Sequence, residues 1–164
     1  MNISQLIRKR RSIRKFKVKS IPERLIRGIL DSARWAPSGL NNQPWKFMVL
    51  SKKQKNSLAI YTHYAQIIKD ADKLILTFLD NKASYNREKD LMAIGAAIQN
   101  MLLYIHSKGL GACWLGEILN KKKQIQKFLG VKRHLELEAV IALGYPQKQP
   151  SLAKRKKLKD LILR

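Results

Sequence analysis

Two short segments carry the side chains able to do chemistry. Residues 34–45, Arg-Trp-Ala-Pro-Ser-Gly-Leu-Asn-Asn-Gln-Pro-Trp, crowd two prolines, a glycine, two adjacent asparagines and a glutamine between two tryptophans. Their hydroxyl and amide groups donate and accept hydrogen bonds beside flat apolar surface. Those are the parts needed to hold a planar heteroaromatic ligand. The same composition also makes an ordinary helix-to-strand loop, and the residues alone leave both readings open. The second segment is Arg10-Arg11-Ser12-Ile13-Arg14-Lys15-Phe16. In extended backbone Arg10, Ser12 and Arg14 fall on one side. Read by itself, it is a solvated basic arm.

Together the two segments resemble the flavin-dependent (FMN) nitroreductase family. That family opens with Arg-x-Ser-x-Arg/Lys-x-Phe, continues through an amphipathic helix, and then carries Pro-Ser-x-x-Asn-x-Gln-Pro-Trp. Here the second motif reads Pro37, Ser38, Asn41, Gln43, Pro44 and Trp45. The resemblance covers nearly the whole chain and implies a set of cofactor-binding residues. Arg10 and Ser12 match phosphate-contacting positions, with Arg11 between them. Arg14 matches the basic position beside N1 and O2 of the flavin ring. Pro37, Ser38, Gly39, Asn41 and Gln43 match the loop that reaches across a dimer interface to the other subunit's flavin; Pro44 and Trp45 read as packing anchors. Leu115 and Gly116 match the segment whose backbone N–H groups approach N5 and O4. Arg155, with Lys156 second, matches a basic residue that returns to the phosphate.

The resemblance also implies FMN as cofactor, NADH or NADPH as electron donor, and a homodimer of domain-exchanged type. Hydride passes by a ping-pong route to a small-molecule acceptor: a nitroaromatic, quinone, flavin or related conjugated electrophile. The flavin carries the chemistry, so no catalytic side chain is assigned. Two departures stand out. The helical excursion that larger members place after the central helix is missing or reduced, and Lys157 stands where the family commonly has Pro. A flavin-binding sensor or storage protein without turnover is one alternative. A basic nucleic-acid-binding protein on the same scaffold is another.

Composition bounds these readings. The chain has 164 residues, 45% apolar and 7% aromatic, which suits one globular domain over residues 1–164. No apolar run reaches a membrane span, the start is unlike a secretory signal, and the lone Cys113 can form no internal disulfide. A cytoplasmic setting fits, with Cys113 as an inert buried thiol. His63, His106 and His134 lack metal-ligand spacing, so no metal is expected. The net charge is +23, with eight Lys and Arg in residues 1–19 and seven in 148–164. A flavin phosphate needs only two or three. The surplus reads as a solvated surface, as steering for anionic substrates, or as a phosphate-binding surface for nucleic acid.

The elements that must position these segments follow from periodicity. A short helix is predicted over 2–10. Ser20 and Glu23 form a capping-box pattern for a helix carrying Leu25, Ile26, Ile29, Leu30 and Ala33, ended by Pro37. Residues 45–50 read as a strand buried on both faces. One or two helices over 52–70 should turn Leu58, Ile60, Tyr61, Tyr64, Ile67 and Ile68 inward. Residues 74–79 read as a second buried strand. A long helix spans 88–107, with Gly109 at its C-terminal cap and the Gly95-Ala96-Ala97 patch as a candidate dimer contact. Residues 111–116 make a third apolar crossing, 121–129 a helix stopped by Gly130, and 135–143 a last strand. Strands spaced by helices predict an α/β (α+β) fold with a mixed sheet flanked by helices. The Rossmann fingerprint is absent, because Gly109-Leu110-Gly111 follows a helix.

Overall fold

The computed structural model describes residues 2–148, 150 and 153–163. Helices α1 (Ile3–Lys9), α2 (Glu23–Arg34), α3 (Lys52–Leu58), α4 (Ala65–Asp70), α5 (Arg87–Ser107) and α6 (Lys122–Phe128) surround five strands. The strands are β1 (Phe16–Lys17), β2 (Trp45–Leu50), β3 (Lys73–Asp80), β4 (Gly111–Leu115) and β5 (Leu135–Pro146). β5 is the hub, pairing with β3, β4 and β1, while β2 pairs with β3 at an edge. Ladders between the named strands are all antiparallel, and one isolated parallel bridge joins Ser12 to Ala112.

Two cores form because both sheet faces are covered, which explains the near-continuous apolar runs of β3 and β5. Ile75, Leu79, Ala139, Ile141 and Leu143 face α2 and α5. Leu74, Leu76, Phe78, Leu137, Val140 and Ala142 face the other way, with Leu58, Ile67, Ile68 and Ile125. The result is three layers. α2 and α5 lie against one another through a fitted contact. A Cβ at Gly28 would stand 2.3 Å from the Tyr104 hydroxyl, and Asn100 Nδ2 donates to the Ser32 carbonyl at 3.2 Å. Gly109 ends α5 at φ +71°, as its left-handed cap requires. No helix among the described residues is long and apolar enough to cross a membrane.

Four expectations are corrected. The cap of α2 is Pro22, with no side-chain cap bond, because Ile21 is buried and its N–H donates to Asp72 Oδ2 at 2.8 Å. Residues 20–22 are thereby held extended. β2 is an edge strand, buried only at Trp45 and Leu50. Ile60 and Tyr64 point outward, 80% and 48% exposed. Ala97 is fully buried inside the protomer, so only part of the small-residue patch on α5 is open for contact.

Candidate active site

The strap from Arg10 to Phe16 is laid against the sheet by two buried side chains, Ile13 and Phe16. Glycines make the room: a Cβ at Gly111 would meet Ile13 at 2.5 Å, and one at Gly144 would meet Phe16 at 2.8 Å. The Ile13 N–H donates to the Ala112 carbonyl at 2.9 Å. With Ile13 turned in, Ser12 and Arg14 turn out. An open concavity of about 350 Å³ results, lined by Arg10, Arg11, Ser12, Arg14 and Arg155 with Pro150 and Ala153. Five residues proposed from sequence therefore meet in one place, although Arg155 lies far along the chain. Lys156 does not line it.

This cradle is electrostatically one-sided. Among the described residues no ion pair involves Arg10, Arg11, Arg14 or Arg155. The Arg10 guanidinium is held below its ordinary value, first by burial and then by the charges of Arg11 and Arg155. Arg11 is pinned by its Nη1, which donates to the carbonyls of Arg8 at 2.6 Å and Arg10 at 2.7 Å, yet among the described residues its buried Nε has no partner. Cations crowded against their own repulsion, with a donor unsatisfied, have the chemistry that suits a multiply charged anion.

From the cradle, β4 leads to the second candidate segment. Gly116 lies four residues beyond Ala112, about 13 Å along extended chain. Trp114 is 44% exposed, whereas the Leu115 side chain is buried, so Leu115 can offer only its backbone to a ligand. Gly116 has φ −90° and ψ −38°, a conformation open to any residue, and a Cβ there would meet no atom within 4 Å. Among the described residues, neither backbone conformation nor packing demands a glycine at 116. Glu117 beside it accepts from Thr62 Oγ1 at 2.5 Å and from the His63 N–H at 3.3 Å, which ties the 59–64 turn to the end of β4. Burial pushes the Cys113 thiol up, against the opposing pull of Arg14. Cys113 is therefore a poor nucleophile, and Arg14 acts on the middle of β4.

The loop at 37–43 is elsewhere. Leu40, Asn41 and Gln43 have φ of 54°, 53° and 47°, the left-handed region that non-glycine residues avoid. Its hydrogen bonds fix this shape. Ser38 Oγ accepts from the Gln43 N–H at 3.0 Å, and Asn42 Nδ2 donates to Asp90 Oδ1 at 2.8 Å. Asp90, fully buried on α5, also accepts from Ser84 Oγ at 2.6 Å and from the Tyr85 N–H at 3.1 Å. Gly39 packs so closely on Tyr85 that a Cβ would overlap the ring. Pro44 and Trp45 are buried anchors, as expected, while Pro37, Leu40, Asn41 and Gln43 are exposed. The Asp90 latch was missed in sequence; its signal is an acid in register with the buried stripe Ile94, Ala97 and Met101, one turn before it on α5.

The loop is fastened at the start of α5. The cradle lies at the other end, where Arg10 and Arg11 share a small cavity with His106. Asp90 and His106 are sixteen residues apart on one helix, about 24 Å at 1.5 Å per residue. The structure thus gathers Arg10, Arg11, Ser12, Arg14 and Arg155 at one end, and separates from them Pro37, Ser38, Gly39, Asn41 and Gln43.

A three-layer antiparallel α+β sandwich with a cationic cradle against its edge is the class of fold in hand. The sequence model of the Nitroreductase family matches residues 7–74 and 56–145. This chain belongs to the nitroreductase family. Among solved structures, one from Desulfovibrio desulfuricans, provisionally named a nitroreductase and determined in complex with FMN, is 43% identical. It superposes with a TM-score of 0.96, covering 100% of this chain and 97% of the other. A provisionally named NADH oxidase of Clostridium acetobutylicum is 31% identical, TM-score 0.87, covering 94% and 96%. A Methanothermobacter thermautotrophicus protein, provisionally named NADH dehydrogenase/NAD(P)H nitroreductase, is 33% identical over 153 residues, 92% of this chain and 80% of its own.

Proposed function

We propose that this chain, acting as one domain over 1–164, is a cytoplasmic FMN-dependent oxidoreductase working as a domain-exchanged homodimer. It takes electrons from NADH or NADPH and reduces a nitroaromatic, quinone, flavin or similar conjugated electrophile in a ping-pong cycle. The observation that carries this reading is the division of the site into two halves at opposite ends of α5. One protomer cannot bring the loop and the cradle to the same ligand. A second copy, related by two-fold symmetry, can set its loop against the first copy's cradle. Leu40 at 86% exposure, Trp35 at 73% and Met92 at 68% are apolar surface that such a contact covers. Leu158, Leu161, Ile162 and Leu163 of the tail, all more than half exposed, are further surface of this kind.

The residues present fit FMN. Arg10, Arg11, Ser12 and Arg155 hold the phosphate, and the unpaired Nε of Arg11 supports an anion there. Arg14 keeps positive charge by the N1–O2 edge, where reduced flavin is anionic. The backbone at Leu115 and Gly116 reaches the ring because Gly116 carries no side chain. The second copy's Pro37, Ser38, Gly39, Asn41 and Gln43 cover the ring from the other side and exclude water. When bound, FMN supplies the hydride-accepting and hydride-donating chemistry.

The test is the visible spectrum of the purified protein, before and after anaerobic NADH or NADPH, with sedimentation alongside. A dimer with a flavin spectrum that bleaches is expected. A flavin spectrum that resists both donors would instead indicate a sensor or storage protein. A protein that cannot be reconstituted with FMN overturns the proposal, and a monomer that binds FMN tightly overturns the shared site.

A further inference from the structure

The cradle accounts for four arginines and leaves most of the +23 charge unexplained. A second concavity, about 380 Å³, opens where β1 meets the end of β5, lined by Lys17, Lys19, Lys148, Gly109, Tyr145 and neighbouring backbone. It shares no lining residue with the cradle. The fold builds it by pairing Lys17 with Tyr145 across the β1–β5 ladder and by the Gln147 N–H donating to the Lys15 carbonyl at 3.0 Å. Basic residues from opposite ends of the chain thus converge.

Among the described residues no ion pair involves Lys17, Lys19 or Lys148. Asp72, the acid that enters this end of the sheet, is engaged by the N–H of Ile21. Lys19 Nζ lies 4.3 Å from the centroid of the Tyr145 ring, so a cation occupies one face of the aromatic that lines the groove. Lysines are mobile point charges without the planar fork that reads a base edge or grips one fixed phosphate. A concave, lysine-lined face suits a phosphate chain; Val18, exposed between Lys17 and Lys19, is a single side chain and not the apolar prow that membrane insertion needs.

We propose that this groove binds the phosphate backbone of nucleic acid without regard to sequence, at a site separate from the cradle. Bases point away, and the contact is electrostatic. The cradle and groove flank the same strap, so the protein holds its cofactor and a polyanion side by side.

The experiment uses FMN-saturated protein, which fills the cradle, and a fluorescent oligothymidylate of about twenty nucleotides, titrated by anisotropy across a salt series. Binding that weakens steeply with salt is expected. The combined Lys17→Gln, Lys19→Gln and Lys148→Gln variant should flatten the slope of log K against log salt by about 2, near 0.7 for each lost phosphate contact. The variant's flavin absorbance and circular dichroism report that it has folded, and the single Lys148→Gln variant should give an intermediate slope. An unchanged slope in the folded variant overturns the proposal. So does loss of all oligonucleotide binding on FMN saturation, which would locate it in the cradle, and so does preference for anionic phosphatidylserine vesicles over the oligonucleotide. If the protein takes up no FMN, the same titration on the protein as purified tests the groove alone, so failure of the cofactor reading is seen separately.

Discussion

Gly116 is informative because neither backbone conformation nor internal packing requires it. A Gly116→Ala substitution adds a Cβ into space that no protein atom occupies. Thermal stability should stay within about 0.5 kcal/mol, while FMN affinity, read by fluorescence quenching, should fall tenfold or more. Equal affinity would remove the close backbone approach. Arg14→Ala should lose about 1.5–3 kcal/mol of charge-assisted contact, or make reduction harder; unchanged affinity together with unchanged potential would remove Arg14 from the site. Asp90 is a different kind of residue, a latch. Burial disfavours its charge, but hydrogen bonds from Ser84, Asn42 and the Asn86 and Tyr85 N–H groups outweigh that and hold its carboxyl below the usual range. A depressed folded value means the stabilisation is complete above the unfolded aspartate value, about 3.9, and is lost as pH falls through the folded one. Asp90→Ala should therefore cost about 1–3 kcal/mol at neutral pH, with the gap from the parent closing in urea melts below about pH 4.

At the scale of elements, the 37–43 loop keeps two costs that its own protomer does not need. Leu40 is left-handed and 86% exposed. Left-handed backbone costs a branched-chain residue about 1–2 kcal/mol, and Asn tolerates it better. Leu40→Asn should leave protomer stability equal or higher, yet raise the dimer dissociation constant measured by sedimentation. Tighter dimers would show that Leu40 makes no contact across copies. This loop also marks where sequence reading stops. Its residue types and order were legible in the chain, because side-chain chemistry is written directly there. Its distance from the cradle was not, because that depends on Asn42 reaching Asp90 across 48 residues, a contact that spacing does not reveal. Strong periodicity gave α5, β3 and β5 with ends within a residue or three. The start of α2 was misplaced because Ser20 and Glu23 satisfy a cap pattern, while burial of Ile21 and its bond to Asp72 prevail. β2 was read as central because six apolar-rich residues look alike at an edge and in a centre; pairing partners on one side alone distinguish them. Cradle membership of Arg155 came from resemblance, since spacing across more than a hundred residues carries no geometric signal.

For the whole molecule, the sheet and its two cores act as a rigid frame that keeps loop and cradle apart. With Ala97 buried, the open side of α5 is left to Met92 and Gly95, where a Cβ would meet nothing within 4 Å. In the proposed dimer, that strip is open to the approach of a second helix. The separation of about 24 Å along α5 has a genetic consequence. Take one variant with a ruined loop, Asn42→Ala with Gly39→Val, and another with a ruined cradle, Arg10→Ala with Arg14→Ala. Each should be inert as a homodimer, because the proposed shared site needs one good loop and one good cradle. Unfolded together and refolded as an equal mixture, half the dimers are hybrids, and each hybrid pairs the sound cradle of one parent with the sound loop of the other. About a quarter of all sites should then regain flavin. Two dead proteins would turn yellow on mixing, whereas lesions confined to a single chain's own site could never rescue one another.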